Sequence, residues 1–105
     1  MKKEYKDSLD NLIVAFCLDY GRRAEEITLD KASKRTLMEY RYINYRMEEA
    51  ATEIVGARGA DIFINEIGKK TGYAYSRIDF LSEAAYKIQK REVKINIAKK
   101  LHLLG

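Results

Sequence analysis

Apolar residues recur along this chain at spacings of three and four, the period that gathers them on one face of an α-helix. Over residues 4–23 the stripe is Leu9, Leu12, Ile13, Phe16, Cys17 and Tyr20, and Gly21 with Arg22 and Arg23 predicts its end. The polar stretch that follows predicts a connection, with Thr28, Asp30 and Ser33 as candidate caps for the next helix. That helix is predicted over residues 31–55, with Thr36, Tyr40, Ile43, Met47, Ala50 and Ile54 on one stripe. Arg35–Glu39 and Arg46–Glu49 supply opposite charges off the stripe. Gly56 and Gly59 make the clearest break in the chain.

Residues 60–71 predict a short third helix, apolar at Ile62, Phe63, Ile64 and Ile67 and ended by Gly72. Ser76, with Asp79 three residues on, has the spacing of a capping box and predicts the start of a fourth. Ile78, Leu81, Ala84, Ala85 and Ile88 would turn inward there, and Ile95, Ala98 and Leu101 carry the apolar rows onward. Glu92 falls on that stripe and predicts a break within residues 90–93. The expected fold is all-α, three to five helices around one core in a single domain, residues 1–105. Residues 1–56 would form a scaffold, and residues 57–105 a helix-turn-helix closed by a basic helix.

Composition agrees with this reading. A chain of 105 residues is one domain's worth, and the absence of proline leaves nothing to interrupt long helices. Charged residues make up 34%, but both signs are mixed and 47% of the chain is hydrophobic, so a packed core is expected. The lone Cys17 excludes an internal disulfide and a cysteine-based zinc site, and its place on an apolar stripe makes it a core residue. The single histidine, His102, excludes a His-rich metal site. No apolar run is long enough for a membrane span, and MKKEYKDSLD lacks the apolar centre of a signal peptide, so the expected compartment is cytoplasmic. Glu49 and Glu53 lie four apart, but the Glu-x-x-His pattern of helical di-metal sites is missing, and with Arg46 nearby a solvated face is expected. Gly68-Lys69-Lys70 lacks the glycine-rich run of a phosphate-binding loop. No enzyme, cofactor, metal or small-molecule substrate is expected.

The net charge of +4 is unevenly spread. Residues 1–56 carry ten Lys and Arg against eleven Asp and Glu, and residues 57–85 are neutral. The excess lies in the last twenty residues, where Lys87, Lys90, Arg91, Lys94, Lys99 and Lys100 face only Glu92. A basic end on a near-neutral body points to a polyanion or an electrostatic anchor, or else to a solvated last helix.

Residues 64–83, INEIGKKTGYAYSRIDFLSE, carry the most specific pattern. Two short helices crossing steeply need a small residue at the crossing, a glycine in the turn and apolar residues that plug the corner. Gly68, Gly72 and Tyr73 stand at those places, with Ile67 before them and Ile78 and Leu81 after. The segment resembles the helix-turn-helix of phage repressors and related regulators, although Thr71 stands where a small apolar residue is commoner. More faintly, a long central helix and a closing Lys-rich helix resemble small phage late-transcription regulators.

The resemblance implies that Ser76–Lys87 is a recognition helix reading the major groove of double-stranded DNA. Tyr75, Ser76, Arg77 and Phe80 would contact bases, and Arg77 alone is suited to the bidentate guanine contact. Asp79 and Glu83 would face phosphates unfavourably. Lys69 and Lys70 would hold the DNA backbone, as would Lys87, Lys90, Arg91 and Lys94 on one face of the closing helix. Sequence-specific DNA binding in transcriptional control is then the expected function, with a phage-like origin and a homodimer spanning about one DNA turn.

Tyrosine is abundant, with eight residues, and MEYRYINYR interleaves rings with arginines. Met38, Arg41 and Tyr45 form a second face on the central helix, a candidate dimer seam in preference to a base-stacking platform. The alternative function is therefore a helical, homo-oligomeric assembly or adaptor protein with no nucleic-acid partner. DNA reading requires Ser76 and Arg77 exposed on a convex surface, with Lys69 and the basic helix on the same side. A Ser76 helix that is long and laid along the central helix would exclude it.

Overall fold

The computed structural model describes residues 5–104. Five α-helices follow one another: α1 Asp7–Leu18, α2 Tyr20–Leu29, α3 Lys34–Val55, α4 Ala57–Lys69 and α5 Glu83–Lys100. A single 3-10 turn, Tyr73–Tyr75, lies between α4 and α5, and no strand is present among the described residues. The all-α expectation holds.

Helix ends follow local hydrogen-bonding chemistry. Ser33 caps α3 by accepting the Thr36 N–H at 3.2 Å, and Ser82 caps α5 in the same way, accepting the Ala85 N–H at 3.2 Å. Asp30 and Lys70 close α2 and α4 in the left-handed conformation, at φ 54° and 55°. Gly56 joins α3 to α4 at φ 81°, a backbone conformation that glycine adopts without strain.

α3 is the spine. Leu37, Asn44, Met47, Ala50 and Ala51 are buried along its inner face, and it packs most extensively on α4 and α5. Ile13 and Cys17 from α1, Phe63, Ile64 and Ile67 from α4, and Tyr86, Val93 and Ile97 from α5 complete one apolar cluster. Phe63 and Tyr86 meet ring to ring at 5.4 Å, and Tyr73 adds a second ring 5.5 Å from Tyr86.

Two of the buried polar residues, Arg23 and Asn44, form one network in this frame. The Arg23 guanidinium donates to the Asn44 side-chain oxygen and to the Phe16 carbonyl, each at 2.7 Å, and lies against Met47. Burial pulls its pKa down from the usual arginine value. The Asn44 amide in turn donates to the Tyr20 carbonyl. This network ties the ends of α1 and α2 to the middle of α3.

Several expected boundaries differ. The first helical segment is interrupted at Asp19, not at Gly21, and the polar stretch after it is helical to Leu29. The turn after α4 takes its positive φ at Lys70, whereas Gly72 is extended at φ −81°. The expected break at residues 90–93 is absent. α5 runs unbroken because its inner row is Tyr86, Val93 and Ile97, which leaves Glu92 and Ile88 outside. The largest difference is at Ser76, which starts no helix; α5 begins seven residues later, at Glu83.

Candidate nucleic-acid interface

Residues 71–82 form a strap that runs back along α4. Thr71, Tyr75 and Arg77 line a groove with Ile62, Asn65, Glu66 and Lys69. Farther on, Ile78 and Phe80 reach Gly59 near the start of α4, where an added Cβ would stand 3.5 Å from Phe80 and 3.7 Å from Ile78.

A buried carboxylate organises the strap. Glu66 of α4 accepts the Ser76 hydroxyl at 2.6 Å, the Arg77 backbone N–H at 2.7 Å and the Tyr86 hydroxyl at 2.8 Å. Ser76 Oγ accepts the Ile78 N–H at 2.9 Å, and the Tyr73 hydroxyl donates to the Leu81 carbonyl at 2.8 Å. These bonds account for the missing recognition helix: side chains that engage backbone N–H groups locally compete with the helical ladder. Burial and the Glu66 carboxylate push the Tyr86 hydroxyl up to about 12.

The four expected base-contact residues therefore stand on irregular backbone. Tyr75 is 86% exposed, while Arg77 is also exposed, its backbone anchored and its side chain lining the groove. Ser76 is half-buried and bound to Glu66, and Arg77 lines a groove, so the exposed convex pair that reading by a recognition helix requires is not formed. Phe80 lies under the Arg58 guanidinium, 5.6 Å from ring centre to carbon, and is partly exposed. Its ring shields Gly59.

The expected backbone contacts divide in two. Lys69, at the groove's edge, and Lys70, at the end of α4, are exposed. On α5, two of the four cations are engaged within the fold. Lys90 donates to the Thr71 carbonyl and lies 5.3 Å from the centre of the Tyr86 ring, and its pKa is lowered by burial and by Lys94. Lys94 pairs with Asp10 at 2.8 Å. Burial alone would raise the Asp10 pKa, but hydrogen bonds from Lys94 and Tyr5 outweigh it and hold the carboxyl below its usual value. Arg91 sits over the Tyr5 ring at 5.6 Å and is exposed, as is Lys87. The basic face expected along α5 is thus partly neutralised by α1.

The candidate seam on α3 lies opposite the core. Met38 is 67% exposed, Tyr45 61% and Tyr42 51%, and Arg41 is exposed beside them. Glu53 pairs with Lys100 at 2.7 Å and Glu49 with Arg46 at 2.6 Å. No carboxylate, histidine or cysteine cluster fit for a metal occurs among the described residues. Also among the described residues, no helix is long and apolar enough to cross a membrane.

Glu66 is the residue that sequence reasoning missed, as it does not fall on the short apolar list of the third helix. A carboxylate in an amphipathic helix reads as solvated, and its three donors come from positions ten to twenty residues later. No family model, curated protein or solved structure matches this chain.

Proposed function

We propose that the protein is a cytoplasmic DNA-binding protein acting in transcriptional control, and that it grips duplex DNA with the strap between α4 and α5 in place of a recognition helix. The observation that carries this reading is the groove on which Lys69, Tyr75 and Arg77 converge. Two cations and a phenol on one rim are donors of the kind that hold phosphates. The Glu66 anchor fixes the backbone at Arg77, so the guanidinium extends from an ordered support. Arg77 is the one residue of this set suited to a bidentate guanine contact, which limits direct base reading to a narrow part of the site.

The test is a salt titration of binding to a mixed duplex and to one of its strands, followed by anisotropy. The duplex is expected to bind at about 50 mM salt, with affinity falling as counterions are retained on the DNA. Lys69→Ala should flatten the salt slope by about one phosphate's worth, and Arg77→Ala should cost about 1–3 kcal/mol on the preferred duplex and relax the preference among sequences. Absence of duplex binding at low salt overturns the proposal. Preference for the single strand, lost on Tyr75→Ala, would make the ring a base-stacking platform and overturn the duplex reading.

A second reading, a homo-oligomeric assembly protein, rests on a different surface: the exposed Met38, Tyr42 and Tyr45 of α3.

A further inference from the structure

The outer face of α3 has a graded composition. Its first turn carries Lys34 and Arg35, its middle Met38, Arg41, Tyr42 and Tyr45, and its last turns Glu48, Glu49 and Glu53. At 100° per residue, Met38, Tyr42, Tyr45 and Glu49 fall on one line, opposite the row that contains Met47 and Ala50. The inner row is fully buried, and the middle of the outer one is more than half exposed. A shallow hollow bounded by Met38, Glu39, Tyr42 and Ile43 runs beside it.

A face that is basic at one end, apolar in the middle and acidic at the other is complementary to its own reversed copy. We propose that α3 pairs antiparallel with α3 of a second copy of this chain, around a two-fold axis near Arg41 and Tyr42. This rests on the assembly reading and is independent of DNA binding. The operation sets Met38 against the partner's Tyr45, and Lys34 and Arg35 against the partner's Glu48 and Glu49. The four-residue spacing puts each pair on the same side of the axis, as an isologous contact requires. A parallel pair would instead bring Lys34 and Arg35 against themselves. Existing bonds engage the acidic end more than the basic one. Arg35 has only a loose contact with Glu39, at 3.6 Å and almost wholly in solvent. Glu48 accepts the Tyr20 hydroxyl, and Glu49 is shared between Arg46 and Lys100. One helix face is small beside a standard interface, so the dimer is weak and exchanges rapidly.

Sedimentation equilibrium without nucleic acid, up to about 0.5 mM protein, tests this. Wild type is expected to show a reversible monomer–dimer equilibrium. A variant carrying Lys34→Glu and Arg35→Glu, and a second carrying Glu48→Lys and Glu49→Lys, should each lose at least about tenfold in self-association, because like charges then meet at both ends. Mixed together, the two should recover association, since each acidic end meets a basic one. Far-ultraviolet dichroism and a thermal melt identify loss of fold, and Tyr45→Glu, at a mostly exposed site, gives a dimer-breaking variant that removes no internal ion pair. Self-association unmoved by any variant, or no rescue on mixing, overturns the antiparallel register while the assembly reading stands. A monomer at every concentration overturns both.

Discussion

The Glu66 carboxylate accepts the backbone N–H of Arg77 at 2.7 Å, eleven residues along the chain and across the groove that both residues line. One oxygen takes this N–H while the other takes the hydroxyls of Ser76 and Tyr86. Glu66→Ala removes the shared acceptor of three donors, of which the Tyr86 hydroxyl keeps the Thr71 carbonyl at 3.3 Å, and should destabilise by about 2 kcal/mol. Glu66→Gln keeps an oxygen for Arg77, and the two hydroxyls can turn to accept from the amide, so a loss of about 1 kcal/mol is expected. Urea unfolding gives both values. In Glu66→Ala, amide exchange at Arg77 should rise by more than exchange in the middle of α3. A negligible loss for Glu66→Ala would show that the carboxylate does not hold the strap.

Gly68 and Gly21 should respond to alanine in opposite senses. A Cβ on Gly68 would stand 2.5 Å from the Leu18 nitrogen and 2.7 Å from the Cys17 carbonyl carbon. The obstacle is backbone, so Gly68→Ala should cost about 2 kcal/mol or more. Gly21 lies within α2 and has nothing within 4 Å of the new methyl. There alanine removes unfolded-state freedom and should stabilise by about 0.5–1 kcal/mol. Thermal melts of the two variants check both signs.

The thiol of Cys17 should be silent in the native protein. It is buried, and desolvation pushes its pKa up to about 12, so almost no thiolate exists at neutral pH. Labelling by a disulfide reagent at pH 8 should follow the unfolding equilibrium and become immediate in denaturant. Rapid stoichiometric labelling of folded protein would contradict the packing of α1 on α4.

The Asp10–Lys94 pair should impose a pH dependence at the acid end. The folded Asp10 carboxyl lies below its usual value, so the unfolded chain binds that proton more readily. Its contribution is present above the unfolded pKa and is lost as pH falls through the folded one. Both partners are partly exposed, which keeps the expected cost of Asp10→Asn at pH 7 to about 0.5–1 kcal/mol. Denaturant melts at descending pH should show wild type and variant converging as pH falls below the usual carboxylate range. A gap that persists there would have to arise from packing.

The fold was legible where local signals agree with packing. The length of α3, the Gly56 break and the Ser33 cap are short-range features, and all appear in the structure, but of the expected α3 stripe only Met47 and Ala50 lie on the buried face, which Leu37, Asn44 and Ala51 complete. The closing helix was misread for one reason. Ser76 and Ser82 are equally good caps by composition, and only the distant Glu66 commits Ser76 to another bond. Gly68 was expected at a close helix crossing and lies at one, but it abuts the end of α1. The site was legible as residue types and not as geometry. Tyr75, Arg77 and Lys69 share a groove, whereas Lys90 and Lys94 are held by partners that no local window contains.

The bonds that join the two ends of the chain bear on its synthesis. Lys94 reaches Asp10, Lys100 reaches Glu53, and the Arg46 side chain donates to the Lys100 carbonyl. A nascent chain that ends after α3 has the spine but neither of its two largest partners, so Met47 meets Arg23 while Ala50 and Ala51 lack the α4 and α5 side chains that complete the core. Translation therefore has to pass α4, the main partner of α1, and then α5 before the core can close. Until then the molecule depends on its tether to the ribosome, and on its high charge, to keep its apolar faces from those of its neighbours.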